Sequence, residues 1–342
     1  MKKKTKTAII TGIKGQDGAF LSQFLLNKNY KVIGVDNDRS KKSNWRLKEL
    51  GIQDSITYKY LDLRNSNSIN KILKSIKPDE IYNLGAETFV KKSFDLPILT
   101  TDVNAMGCLR ILESIRLLNL KTKFYQASSS EMFGREELKK KKLNEKSPFN
   151  PLSPYAVSKI FAHYITTQYR ESYKIFACSG ILFNHESSFR GEEFVTRKIV
   201  KNACLLKNKK IKSFNLGNIY SYRDWGFAGD YVQAMWKMLQ YKKPDDYVIA
   251  TGKTYSVKYL LELVFKILDI KYKIKKQNGR IYYTDSFNRK IVKTFSKKDN
   301  RPSDLDYLIG DPKKAIKNLR WTPSTNFKEL IKNMIKEELN RI

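Results

Sequence analysis

The chain of 342 residues is 41% hydrophobic and 12% aromatic, enough for one large α/β unit or two smaller ones around a cleft. Its formal net charge of +32 attracts polyanions, but the lysines are scattered in short runs at 2–4, 139–142, 207–212 and 242–243, which argues against a dedicated nucleic-acid surface. No apolar stretch reaches the roughly 18 residues of a membrane span, the basic start gives way to glycines too soon for a signal sequence, and three scattered cysteines with two histidines provide neither a disulfide framework nor zinc-ligand spacing, which fits a reducing, cytoplasmic setting without a metal site.

Predicted strands follow one another at 7–12 (TAIITG), 31–36 (KVIGVD), 56–62 (ITYKYLD), 80–86 (EIYNLGA), 122–129 (TKFYQASS) and 174–183 (KIFACSGILF). Between them, 19–29 and 104–118 carry apolar residues at helical spacing. Strands this apolar, alternating with helices, predict a parallel sheet covered on both faces: the doubly wound, Rossmann-type α/β fold. Past residue 185 the rhythm breaks. Helical stretches (FVTRKIVKNACLL, DYVQAMWKMLQ, VKYLLELVFKILD, NFKELIKNMIKEEL) are joined by short strand candidates (KSFNLG, YVIATG), which predicts a smaller α+β portion. The Lys-rich stretch 284–300 lacks periodicity and reads as a loop. The expected organisation is a dinucleotide-binding domain over 1–184 and a substrate-binding portion over 185–342, with some of the later chain returning to the first domain.

The stretch TGIKGQDG (11–18) places Gly12, Gly15 and Gly18 three apart, directly after the first strand and at the opening of a helix. Glycines there allow a tight turn and let backbone N–H groups approach a pyrophosphate at the helix N-terminus. The strand–loop–helix context is what makes this a dinucleotide signature. Asp36 ends the second strand, where an acid binds the adenosine ribose hydroxyls and favours NAD over NADP; Arg39, Lys41 and Lys42 follow it and could offset that preference. Asp62, ending the third strand, is a candidate for the adenine edge.

Tyr155 and Lys159 are four apart on a helix introduced by NPLSP, so they share a face. An ammonium near a phenol favours the phenolate, which can take a proton from a hydroxyl while hydride leaves for a nicotinamide. Ser129 ends the fifth strand, at the carboxyl edge where such sheets bind ligands, and its hydroxyl can orient the reacting oxygen. His185 is read as a packing or hydrogen-bonding residue.

With these residues in place, the chain resembles the extended short-chain dehydrogenase/reductase family, and within it the GDP-mannose 4,6-dehydratases. The matching stretches are ITGIKGQDGAFLSQFLL, YNLGAETFVKKSFDLP, FYQASSSEMFG, SPYAVSK, GILFNHESSFRGEEFVTRKI, LGNIYSYRDWGFAGDYVQAMW, YVIATG and RPSDLDYLIGDPKKAIKNLRWTP, in order over most of residues 7–335. The resemblance implies a hydro-lyase with a tightly bound NAD or NADP regenerated in each turnover. It implies that Glu131, two residues past Ser129, removes the C5 proton of a GDP-sugar and assists loss of the C6 hydroxyl. It places Asn184, Arg223 and Arg301 at the diphosphate and Thr196, Arg197 and Lys198 at the nucleotide, and it implies a homo-oligomer, dimer or tetramer.

Three departures stand out. VDNDRSKKSN replaces the Arg-Arg-Ser-type stretch that reads the NADP 2′-phosphate in this family. Ser129 stands for the usual Thr. ETFV replaces a Ser-His-Val, so Thr88 and Phe89 change the substrate wall. GDP-mannose is the expected substrate; a GDP-manno-heptose, a 4-epimerase or reductase reaction on the same scaffold, and, remotely, a basic nucleic-acid-binding protein are the alternatives.

Overall fold

The computed structural model describes residues 5–135, 141–277, 280–294 and 305–342. Its strands are β1 (Thr7–Thr11), β2 (Lys31–Asp36), β3 (Thr57–Tyr60), β4 (Glu80–Asn83), β5 (Lys123–Ser129), β6 (Ala177–Leu182), β7 (Asn184–Glu186), β8 (Phe214–Leu216), β9 (Tyr222–Arg223), β10 (Trp225–Phe227), β11 (Tyr247–Ile249), β12 (Tyr255–Ser256), β13 (Lys273–Gln277), β14 (Arg280–Thr284) and β15 (Lys290–Thr294). The helices are α1 (Gln16–Leu26), α2 (Trp45–Glu49), α3 (Ser66–Ile76), α4 (Val90–Asp95), α5 (Pro97–Thr101), α6 (Gly107–Leu117), α7 (Pro154–Tyr173), α8 (Val195–Lys207), α9 (Ala228–Gln240), α10 (Val257–Ile267), α11 (Lys313–Leu319) and α12 (Phe327–Arg341).

Seven strands form one parallel sheet in the order β11-β6-β5-β4-β1-β2-β3, the predicted doubly wound arrangement. The order reverses at β1, so β1 and β4 open a crevice at their carboxyl ends. One face packs α1, α9 and α11 through Leu21, Leu25, Met235, Met238 and Leu319. The other packs α3, α6 and α7 through Ile69, Leu73, Ile111, Leu112 and Ala162. Each fully buried side chain of this size contributes about 1.5–3 kcal/mol. The covering fails at one edge: all four residues of β3 are exposed. Lys59 and the hydroxyl-bearing tyrosines of TYKY suit a solvated edge, where charge discourages pairing with another chain.

Helix α7 starts where the sequence says it should. Ser153 caps α7 by accepting from the Ala156 N–H at 3.1 Å, and Pro154 occupies the first turn, where its missing donor is no loss. Between α5 and α6, residues 102–106 form a π-helical turn. It aims Asn104 into the structure, where it bonds both backbone groups of Glu87 (2.9 and 3.1 Å) and Ser158 Oγ (3.2 Å). The loop after β4 is thereby fixed against α7.

After β6 the chain leaves the sheet, then α9 packs beside α1 and β11 adds to the sheet next to β6. A second core is built from α8, α10 and α12 over a four-stranded sheet, β13-β14-β15-β8. The loop expected at 284–300 is corrected in part: 290–294 are strand β15, pairing antiparallel with β14 and parallel with β8. Ile291 and Val292 are adjacent and both buried, and the β14 register shifts at Tyr283/Thr284, so no two-residue alternation marks this strand. Residues 295–300 lie outside the described residues.

Candidate active site

Two adjoining cavities open at the carboxyl edge of the sheet. The first, about 490 Å³, is lined by Gly12, Gly15, Gly18, Asp36, Asp62, Gly85, Arg46 and Arg190 among others. Gly12 has φ +65°, and a Cβ there would lie 2.8 Å from the Gly85 Cα; a Cβ on Gly18 would lie 2.5 Å from the Gly12 carbonyl oxygen. The turn closes only without these side chains. A cradle of bare backbone at the start of α1, with acids at the ends of β2 and β3, fits a dinucleotide.

The adenosine end is specific in its details. Asp36 Oδ1 accepts from the Asp38 N–H at 3.0 Å. Arg39 lies over the Tyr60 ring, 4.2 Å from its centroid, and is not in the cavity wall. The Lys14 ammonium is held by Asp38 O (2.6 Å), Ser40 O (2.9 Å) and Ser43 Oγ (2.9 Å). The side chains of Lys41 and Lys42 lie outside the described residues. Asp62 is gripped by the Arg64 guanidinium at 2.6–3.1 Å, and that hydrogen bond holds its carboxyl below the usual range.

The second cavity, about 440 Å³, brings together Ser129, Glu131, Tyr155, Lys159, Asn184, Lys198 and Arg223. Its far wall includes Thr88, Phe89 and Phe194, and the two phenylalanine rings meet edge to face at 5.9 Å. Asp17, Leu84, Thr88, Arg190, Glu193 and Phe194 line both cavities, so a ligand in one touches the wall of the other.

Ser129 Oγ accepts from the Glu131 N–H at 3.2 Å, and the Ser129 hydroxyl acts on the Tyr155 phenol. Burial pushes that phenol up to about 12, with the Ser129 hydroxyl working against the shift and the Glu131 charge adding to it. Burial brings Lys159 down to about 8. Its Nζ donates to Ala127 O at 2.8 Å and sits 5.8 Å from the Tyr155 ring centroid. Desolvation is the largest cause at both groups.

Other residues named from the sequence take different places. Thr196 is buried and donates to Glu186 Oε2 at 2.5 Å, outside the cavity wall. Arg197 turns to Arg190 O (2.7 Å) and Glu338 (3.5 Å). Arg301 lies outside the described residues. His185 stacks on Tyr231; its Nδ1 donates to Phe183 O at 2.8 Å and its Nε2 faces Asp17 Oδ2 at 2.7 Å. Burial lowers the pKa of the ring, but the Asp17 carboxylate overcomes this and raises it. Asp17 lies between two loop glycines, and nothing in its spacing marks it as part of both walls. Arg190 and Phe194 were within a recognisable stretch, but nothing in their spacing marked them as wall residues.

Ser129, Tyr155 and Lys159 together on a doubly wound sheet, with the glycine-loop crevice opening into their cavity, match the extended short-chain dehydrogenase/reductase class. The solved structures agree on the fold. The UDP-glucose 4-epimerase of Thermus thermophilus, complexed with NAD, superposes with a TM-score of 0.81 at 20% identity over 98% of this chain and 100% of its own. RMD from Pseudomonas aeruginosa, complexed with NADPH, gives 0.77 at 18% identity over 99% and 100%. The family model described as GDP-mannose 4,6 dehydratase matches residues 9–334, and the GDP-mannose 4,6 dehydratase of Dictyostelium discoideum is 43% identical over 100% of this chain and 98% of its own. The chain belongs to the GDP-mannose 4,6 dehydratase family: it is a nucleotide-sugar dehydratase, a hydro-lyase with a nicotinamide cofactor. Among the described residues no helix is long and apolar enough to cross a membrane.

Proposed function

We propose that this enzyme converts GDP-mannose to GDP-4-keto-6-deoxy-mannose, with Ser129, Glu131, Tyr155 and Lys159 as its catalytic residues. The observation that carries this reading is Glu131 in the same cavity as the Ser129–Tyr155 pair, close enough for its charge to act on the phenol. A 4-epimerase or reductase on this scaffold has no task for such an acid.

A bound nicotinamide dinucleotide supplies the hydride acceptor for C4 and the hydride donor for C6. Ser129 orients the C4 hydroxyl, and Tyr155, as phenolate, takes its proton. Lys159 supplies the positive charge that favours the phenolate once the site is filled. The C4 ketone makes the C5 hydrogen acidic, and the Glu131 carboxylate removes it. Glu131 then gives that proton to the departing C6 hydroxyl, which leaves as water. The proton taken from the C4 hydroxyl balances the reaction by ending on C5. Asn184, Lys198 and Arg223 hold the GDP moiety; Arg suits phosphate through its forked donors. The test is mass spectrometry of the product after incubation with GDP-mannose. Loss of one water with no net reduction of cofactor is expected; an isomer of unchanged mass, or a reduced sugar, defeats the reading.

The cofactor is read as NAD. Asp36 borders the dinucleotide cavity, where a 2′-phosphate meets a like charge. Arg39 is stacked on Tyr60 and the Lys14 protons are spent on the 38–43 loop. Denaturing the purified protein is expected to release NAD, and Asp36→Ala is expected to weaken NAD about tenfold while sparing NADP. Tighter binding of NADP by the wild type overturns this.

A homo-oligomer is also proposed. Val157, Phe161 and Tyr164 form an exposed stripe on α7 beside exposed Ile98 of α5. Copies carrying +32 each repel, so an uncharged stripe is where a second copy can approach. Light scattering of wild type and Phe161→Glu decides it: equal masses sink the proposal. All three cysteines are buried free thiols, which supports a cytoplasmic setting, checked by cell fractionation.

A further inference from the structure

We propose that Gln126 is a positioning residue for Lys159, acting through the carbonyl of Ala127 at the end of a hydrogen-bonded chain that begins in the strand carrying the glycine loop. The inference rests on the role of Lys159 proposed above.

The chain runs sideways across three neighbouring strands, from the ends of β1 and β4 to the middle of β5. The Gly85 N–H donates to Thr11 Oγ1 at 2.8 Å. The Thr11 hydroxyl donates to Asn83 Oδ1 at 2.8 Å. Asn83 Nδ2 donates to Gln126 Oε1 at 2.8 Å, and Gln126 Nε2 donates to Ala127 O at 3.0 Å. Lys159 Nζ donates to that same oxygen at 2.8 Å. The first four donors run the same way and polarise one another, and Lys159 donates from the opposite side, so two donors meet on the Ala127 oxygen.

All the side chains in this chain are at least nine-tenths buried: Thr11, Asn83, Gln126 and Lys159. Burial makes each bond obligatory, because an unpaired amide there costs its full desolvation. Among the described residues Lys159 has no carboxylate at ion-pair distance. The Ala127 carbonyl is therefore the fixed point of a buried, otherwise uncompensated ammonium. A plain strand end could satisfy this oxygen with the ammonium alone. Here a second donor, supported from two further strands, holds the oxygen in place, and with it the lysine beside Tyr155. The titratable groups facing the ammonium are Tyr155 on its own helix, Cys108 on α6 and Asp17 on α1.

Two variants remove the Gln126 donor in different ways. Gln126→Met removes the whole amide. Gln126→Glu keeps the shape and the acceptor for Asn83 but cannot donate to Ala127 O. Both are expected to slow the single-turnover nicotinamide transient about fivefold, the scale of one net hydrogen bond between neutral groups, while GDP affinity stays within about twofold. In the cofactor-free protein, the Lys159 ε-carbon titration followed by NMR is expected to move to lower pH in Gln126→Met, because the ammonium loses a fixed acceptor, and to higher pH in Gln126→Glu, where a buried carboxylate adds its charge. A wild-type transient, or an unmoved Lys159 midpoint, in either variant overturns the proposal. If Gln126→Met fails to fold, the isosteric Gln126→Glu decides alone. Lys159→Ala is measured alongside: if it leaves the transient intact, the catalytic role of Lys159 falls, and the positioning proposal is then judged by the titration midpoint.

Discussion

Tyr155→Phe is expected to reduce the hydride step by about 10³-fold, within the range of a lost general base. The substitution removes one oxygen, the phenol on which the Ser129 hydroxyl acts, and leaves the ring in its buried place. Lys159→Ala is expected to cost less, about 10²-fold, because the base survives and only the charge that favours its ionised form is gone. A single-turnover experiment following nicotinamide absorbance reads both. A normal transient in Tyr155→Phe removes Tyr155 from the mechanism. The wild-type pH profile follows from the same groups. The phenol, pushed up to about 12, must lose its proton, so the rate climbs with pH. Lys159, brought down to about 8, must keep its proton, so above that value its loss offsets the gain from the phenol and the rate levels off.

Glu131→Gln is expected to separate the two halves of the reaction. The amide keeps the shape of the carboxylate but cannot take a proton from C5. Oxidation at C4 should survive, and the nicotinamide should stay reduced, because hydride has no C6 acceptor until water has left. Turnover is expected to fall about 10³-fold with little change in GDP affinity. Solvent deuterium incorporation at C5 is the direct measure. Exchange at the wild-type rate in Glu131→Gln assigns the base elsewhere.

The parts of the structure that depend on local chemistry were legible in the sequence. The glycine loop requires bare backbone wherever it occurs, and Gly12 and Gly18 sit where a Cβ meets other backbone. Ser153 and Pro154 announce the start of α7, and the four-residue spacing puts Tyr155 and Lys159 on one face. The parts set by distant contacts were not. The three residues of β11 carry no sign that they extend the main sheet, since their place is fixed by pairing with β6. The partner of Lys159 is a backbone carbonyl, which has no letter in a sequence. The π-helical turn that aims Asn104 is likewise unmarked. Thr196 shows the limit of carrying residues over by motif. It lies two positions from Lys198, and residues two apart on a helix point about 200° away from each other. Only one of them can face the cleft; here it is Lys198, and Thr196 turns inward to Glu186.

The path of the chain between its two cores has a mechanical consequence. The backbone leaves the large sheet after β6, comes back for α9 and β11, goes out again for α10 and β13–β15, returns as α11 and ends in α12 against α8. Two bodies joined by a single linker can hinge; bodies stitched together by several crossings, each buried at both ends, cannot rotate without breaking core contacts. The loop over the cofactor cavity is pinned as well, through Phe189 O by Arg46 at 2.7 Å and through Ser188 O by Arg341 at 2.9 Å. Fitting around a nucleotide sugar is thus left to side chains of the cavity wall, Phe89, Phe194 and Lys198 foremost. A ligand-bound structure is expected to superpose on this one across both cores at once, with the differences confined to those rotamers.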